Sequence, residues 1–136
     1  MELYLNTDGA EGHLWDSEPF GGTGKIPTLL LTTSDRESGE PLQLPLIYIS
    51  TPEGWAVIAS KGGSATHPGW YENLKVNPNV EVQIKNERFP AQAHTTVGAE
   101  RDSLWKKLAD LYPPFNSYVP KAAPREIPLV LLKYQP

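Results

Sequence analysis

The sequence predicts a small closed β-barrel with attached helices, a mainly β chain of the α+β kind. Three observations carry this. About six short β-prone runs, each bounded by Gly, Pro, Asn or Asp, follow one another closely enough to pair as consecutive antiparallel strands. Only two stretches switch to helical spacing. A chain of 136 residues is one domain, residues 1–136, large enough for a continuous apolar core but too short for two domains.

Residues 1–24 read as an N-terminal loop segment, because Asp8-Gly9, Gly12, Pro19 and Gly21-Gly22 leave no room for a regular element after the first few residues. Asp8, Glu11, His13 and Asp16 have the donor chemistry of metal ligands. Their spacing on a loop without cysteine or a second histidine defines no coordination polyhedron, so they are assigned to tying down backbone amides, and no metal is expected.

Thr28 to Thr33 is a continuous apolar and β-branched run, the pattern of a strand covered on both faces. Asp35 to Pro41 is its turn. Leu42, Leu44, Leu46 and Tyr48 then alternate with Gln43, Pro45, Ile47 and Ile49, one strand with Pro45 marking an edge or bulge. Thr51-Pro52-Glu53-Gly54 turns into Trp55 to Ala59, a short buried strand.

The stretch after that strand, Ala59-Ser60-Lys61-Gly62-Gly63-Ser64-Ala65-Thr66-His67-Pro68-Gly69-Trp70, has the composition of an anion cradle. Gly62 and Gly63 can take backbone angles closed to other residues, which turns their N–H groups toward an anion while Lys61 adds a positive charge. Pro68 suits the first turn of a short helix, with His67 or a neighbour as cap, and the helix N-terminus adds its partial charge. Trp70 and Leu74 share one face of that helix. The same pattern also suits a plain Gly-rich turn with a solvated lysine and a core tryptophan.

Asn77-Pro78-Asn79 ends the helix, and Val80, Val82 and Ile84 alternate with Glu81, Gln83 and Lys85, a strand with one wet face. Arg88 to Thr95 is the next strand, its small residues suited to a crowded barrel interior. From Gly98 to Tyr112, Leu104, Leu108, Leu111 and Tyr112 form the stripe of an amphipathic helix, stopped by Pro113-Pro114. A loop carrying Phe115, Tyr118 and Arg125 leads to Ile127 to Leu132, a final buried strand.

Composition excludes several classes. A net charge of -4, without a basic stripe or an aromatic RNA-reading motif, argues against nucleic acid as a partner. Zero cysteines remove disulfides, thiolate nucleophiles and Cys-based metal sites. The N-terminus lacks the basic and apolar regions of a signal peptide and no run is long enough to span a bilayer, so a cytoplasmic protein is expected, with peripheral membrane contact compatible with a lipophilic substrate. Ser60 has no Gly-x-Ser-x-Gly elbow and no histidine has a recognisable acid partner, so Ser60 is not read as a nucleophile.

Ser60-Lys61-Gly62-Gly63, followed by His67-Pro68-x-Trp70-Tyr71-x-Asn73-Leu74-x-x-Asn77-Pro78, resembles the deazaflavin-dependent nitroreductase family. Colinear matches extend this over nearly the whole chain: Thr7 to His13, Leu31-Thr32-Thr33 running into Arg36-x-Ser38-Gly39, Pro45-Leu46, Tyr112-Pro113, and Arg125-Glu126-Ile127-Pro128. The resemblance implies a split β-barrel of the FMN-binding type that binds coenzyme F-420, a deazaflavin whose reduced form donates hydride to nitroaromatics, quinones or activated alkenes. It also implies that Arg36, Ser38, Pro45, Ser60, Lys61, Gly62, Gly63, Trp70 and Asn73 hold or support the cofactor. For Trp70, plain core packing serves equally well as a reading. Tyr112, Phe115 and Tyr118 would line the pocket for a flat electron acceptor. Ser60, Tyr112 and Tyr118 are the catalytic candidates, Ser60 hydrogen-bonding the substrate or the deazaflavin edge, and solvent or Tyr118 supplying the proton. The resemblance leaves monomer and homodimer both open.

One departure matters. Where the family carries a pattern like Gly-Arg-Lys-Ser-Gly-x-Pro-Arg, this chain has Asp35, Glu37 and Leu42 at the first, third and last places. Two cations are lost and two anions appear. Each exposed charge reversal weakens binding of an anionic tail by about 1 kcal/mol. FMN, with a shorter and less charged tail, is therefore the competing cofactor, and a flavin- or deazaflavin-binding protein without turnover is the reading from a different class.

Overall fold

A computed structural model describes residues 14–16, 25–61 and 66–136. Gly62, Gly63, Asp8, Glu11, His13 and the side chain of Asp16 lie outside the described residues. In chain order the elements are β1 (Leu14–Asp16), β2 (Lys25–Ser34), β3 (Pro41–Ile47), β4 (Ile49–Thr51), β5 (Gly54–Ile58), α1 (Gly69–Val76), β6 (Asn79–Ile84), β7 (Glu87–Thr95), α2 (Gly98–Leu111), α3 (Pro114–Ala122) and β8 (Leu129–Tyr134).

Every strand pair is antiparallel, along the path β1-β2-β6-β7-β8-β5-β4, with β3 added to β2. Only Tyr48 separates β3 from β4. The run Pro41–Thr51 therefore pairs with β2 through its first part and with β5 through its second, joining the two ends of the path. This closes the split β-barrel that the resemblance implied.

β5 and β8 are buried on both sides, which is why both read as unbroken apolar runs rather than alternating ones. Val57, Val130 and Leu132 point into a barrel interior shared with Leu29, Leu31, Val82, Trp70 and Leu74. Their neighbours Ala56, Ile58 and Leu129 point the other way, into a layer formed with Leu104 and Leu108 of α2 and Phe115 of α3. The period-two alternation of the strand thus divides the apolar residues between two cores. The start of β5 lies so close to the end of antiparallel β8 that a Cβ on Gly54 would overlap the carbonyl of Leu132.

Several expectations need correction. Leu14–Asp16 forms a short strand against Lys25–Pro27 inside the segment expected to be irregular, because the start of a long β2 runs ahead of its pairing with β3 and offers its edge there. The single strand expected from Leu42 to Ile49 breaks at Tyr48, where its pairing partner changes. Gln83 is buried rather than on a wet face, its amide donating to the carbonyl of Lys85 at 2.8 Å. Pro68 is the N-cap of α1, with extended backbone, rather than a residue of its first turn. Pro113-Pro114 does end α2, but Pro114 then starts α3 where a loop was expected, since proline is at home in a first helical turn. The last strand begins at Leu129 and reaches Tyr134.

Candidate functional site

β5 delivers its chain into the candidate site. Ala59 is fully buried and its N–H donates to the carbonyl of Pro128 at 2.9 Å, which extends the β5–β8 pairing by one more bond. Beyond it the strand pattern ends, and two carbonyls turn to a single guanidinium: Arg125 Nη1 donates to Ala59 O at 3.1 Å and Nη2 to Ser60 O at 2.7 Å. The backbone N–H of Arg125 donates in turn to Ala122 O at the end of α3, 2.9 Å away. The helix that carries Tyr118 is therefore tied to the loop that carries Ser60. Lys61 is exposed and takes φ +48°, a left-handed backbone angle uncommon outside glycine, and its Nζ reaches Thr66 Oγ1 at 3.4 Å.

Arg125 Nη1 also lies 3.0 Å from His67 Nδ1. A guanidinium has only donors, so Nδ1 accepts, and the ring is the neutral tautomer with its proton on Nε2. Burial first, and then the Arg125 charge, hold the imidazole below its ordinary pKa, with Glu72 pulling the other way and Lys75 adding to the depression. The ring lies against Tyr71, centroids 4.9 Å apart, and the Tyr71 hydroxyl is 2.9 Å from Thr95 Oγ1.

The second wall is the β2–β3 turn. Asp35 Oδ2 accepts from the Ser38 N–H and the Ser38 hydroxyl, each at 2.9 Å, and from the Glu37 N–H at 3.3 Å. Those bonds, the Ser38 N–H foremost, hold its carboxyl below the usual range. The Ser38 hydroxyl accepts from the Glu40 N–H at 3.2 Å, so it is committed within the turn. Arg36, at the tip, bonds to α1: Asn73 Oδ1 accepts from its backbone N–H at 3.2 Å and from Nη1 at 2.9 Å, and Gly69 O lies 3.4 Å from Nη1. Asn73 Nδ2 donates to Thr33 Oγ1 at 3.4 Å. Leu42 stands opposite Thr33 in the β2–β3 register and is 46% exposed, so the positions that depart from the family pattern flank the Arg36–Asn73 pair.

The third group is aromatic. Tyr112, Phe115 and Tyr118 meet edge to face, with centroids 5.0 Å apart for the first pair and 6.3 Å for the second. Tyr112 and Phe115 are buried, while Tyr118 is half-buried. The hydroxyls of Tyr112 and Tyr118 are 3.3 Å apart. Burial, and then the contact with Tyr118, push the Tyr112 phenol up to about 12, so it stays protonated at neutral pH.

The structure brings Arg36 together with Asn73, and Tyr112 with Phe115 and Tyr118. Trp70 is buried in the barrel interior beside Tyr71. Pro45 is exposed on β3 opposite Leu30, on the strand face away from Leu44 and Leu46, and is not joined to the others. Sequence reasoning gave no role to Arg125, although it opened one of the matching motifs, and gave His67 only that of a candidate helix cap, a place that Pro68 takes; a lone arginine between two prolines signals a fixed position but not its partners.

A family model described as F420H(2)-dependent quinone reductase matches residues 1–134. The chain is 33% identical over 139 residues to an F420H(2)-dependent quinone reductase of Mycobacterium tuberculosis, covering 96% of this chain and 84% of the relative. Among solved structures it is similar to an F420-H2 dependent reductase at 37% identity and a TM-score of 0.72, covering 79% of this chain and 94% of that one. A further structure, described as a domain-swapped dimer, matches at 37% identity and a TM-score of 0.72, covering 79% of this chain and 80% of the other.

Proposed function

The chain belongs to the F420H(2)-dependent quinone reductase family, and from that premise we propose that it oxidises reduced coenzyme F-420 and reduces a quinone, with nitroaromatics and activated alkenes as further acceptors. It is an oxidoreductase of the deazaflavin-dependent kind. The observation that supports the assignment of the cofactor's place is two exposed cations around α1: Arg36, bonded to Asn73 and Gly69 of that helix, and Lys61, whose Nζ reaches Thr66 in the segment leading into it. Cationic donors beside a helix N-terminus suit the phosphate of coenzyme F-420.

Coenzyme F-420, when bound and reduced, supplies the hydride. Lys61 and Arg36 bind the anionic part. Ser60, fixed through its carbonyl by Arg125, would offer its hydroxyl to the substrate or to the deazaflavin edge. Tyr118 delivers a proton to the acceptor oxygen, and Tyr112, a phenol with its pKa pushed up to about 12, hydrogen-bonds Tyr118 and keeps it oriented. One hydride and one proton convert a quinone to its hydroquinone, so electrons and protons balance.

FMN is the second reading, favoured by Glu37 and Leu42 standing beside Arg36 where a longer anionic tail calls for cations. Titration of the protein with coenzyme F-420, FMN and FAD, followed by tryptophan fluorescence, separates the two. Tightest binding of coenzyme F-420 supports the proposal, and tighter binding of FMN overturns it. No helix among the described residues is long and apolar enough to cross a membrane; the reading is completed by work in the cytoplasm, at a membrane surface where the quinone is lipophilic. The domain-swapped relative supports a homodimer as one assembly.

A further inference from the structure

We infer that Arg125 and His67 form a protonation-sensitive latch on the loop carrying Ser60 and Lys61, with Arg125 as a positioning residue. The inference rests on the proposed function only in identifying what the loop holds.

Among the described residues one guanidinium reaches Ala59 O, Ser60 O and His67 Nδ1, at 3.1, 2.7 and 3.0 Å. These acceptors lie on both sides of the loop, before Lys61 and after Thr66, so the arginine pins its two ends to each other. It is itself pinned to α3 through its own N–H. Arg125 is half-buried, with burial lowering its pKa, yet an arginine stays charged throughout the working range. The titrating partner is therefore His67.

Protonation at Nδ1 replaces the acceptor with a donor and sets two cations facing each other at hydrogen-bond distance. The other groups facing His67 come from α1: Tyr71 against its ring, Glu72, which favours the charged form, and Lys75, which opposes it. Glu72 is already engaged by Lys75 at 3.1 Å. The charged ring must then swing away from Arg125, and the guanidinium loses the contact that aims Nη1 between Ala59 and the far end of the loop. Ser60 then keeps its bond to Nη2 and Lys61 its long contact with Thr66, but the two ends of the loop lose the arginine that joined them.

The decisive variant is His67→Asn, whose side-chain oxygen keeps an acceptor in place of Nδ1 but does not titrate. In the unliganded full chain, hydrogen-exchange protection of the Ala59 amide, which donates to Pro128 O beside the carbonyl that Arg125 holds, corrected for intrinsic rates, is expected to fall by about tenfold from pH 8 to pH 5 in the wild type and to stay level in His67→Asn. Arg125→Lys, which cannot span all three acceptors, should show low protection at both pH values. The ratio of dissociation constants for coenzyme F-420 between wild type and His67→Asn should rise about tenfold over the same range, any titration of the cofactor cancelling in the ratio. Equal protection in wild type and His67→Asn across the range overturns the latch. A pH step in protection without binding of coenzyme F-420 to any of the proteins upholds the latch and overturns the proposed function instead.

Discussion

Asn73 Oδ1 accepts two hydrogen bonds from Arg36, one from its backbone N–H at 3.2 Å and one from Nη1 at 2.9 Å, and so fastens the tip of the β2–β3 turn to α1. Asn73 is 2% exposed, and its amide also donates to Thr33. Asn73→Ala is expected to cost about 1–3 kcal/mol of stability, because partners in a half-buried environment lose their bonds and little water can replace them. Urea unfolding reads this directly. The same variant should weaken coenzyme F-420 binding, since Arg36 is no longer aimed; an unchanged dissociation constant would detach Arg36 from the cofactor.

Lys61→Ala is expected to weaken coenzyme F-420 binding by about 1.5–3 kcal/mol, the value of a charged donor lost from a partly desolvated phosphate site. Calorimetric titration checks it. Lys61 makes one long contact, with Thr66, so stability should scarcely change, and an affinity equal to the wild type would reject the cradle.

The two tyrosines give a prediction in rate and in pH. Tyr118→Phe should lower turnover with quinone while cofactor affinity is kept, since the proposed function assigns its hydroxyl to the acceptor and not to the cofactor's anionic end. Burial pushes the Tyr112 phenol up to about 12 in the folded protein, from about 10 in the unfolded chain. Its folded pKa is raised, so its contribution to stability is fully present below about pH 10 and is lost as pH rises toward 12. Tyr112→Phe should flatten that alkaline loss in thermal unfolding; an identical slope in both proteins would contradict the burial of this phenol.

Glu37→Lys combined with Leu42→Arg restores the cations that the resembling family carries around Arg36. Affinity for coenzyme F-420 should rise by about tenfold or more at low ionic strength, and the gain should shrink as salt is added. FMN should gain less. No gain at low salt would show that the cofactor's anionic tail does not pass the β2–β3 turn.

Much of the barrel was legible because its signals are local. The runs Leu29 to Leu31 and Leu129 to Leu132 are apolar without alternation because both of their faces are covered, and Leu104 and Leu108 are spaced by the helix that buries them. Part of what escaped was decided by partners distant in sequence. Nothing near Tyr48 announces that its strand leaves β2 for β5, and Gln83 is polar in a strand yet buried, because its amide finds a carbonyl two residues away. The helix at Pro114–Ala122 was hidden by two prolines that read as a stop and serve also as a start. In the site, residue types pointed to Lys61 and Arg36 as cations, but Arg125 lies 65 positions from the Ser60 carbonyl it holds, and only the fold reveals that contact.

The central claim is that this chain moves a hydride from coenzyme F-420 to a quinone. It is tested most directly by a single-turnover measurement in which the protein, loaded with reduced coenzyme F-420 under anaerobic conditions, is mixed rapidly with a soluble quinone. Oxidation of the deazaflavin and formation of hydroquinone in equal amounts, both slowed in Tyr118→Phe, is the result predicted here. Oxidation no faster than without protein, with rapid quinone reduction when reduced FMN is supplied instead, would contradict it.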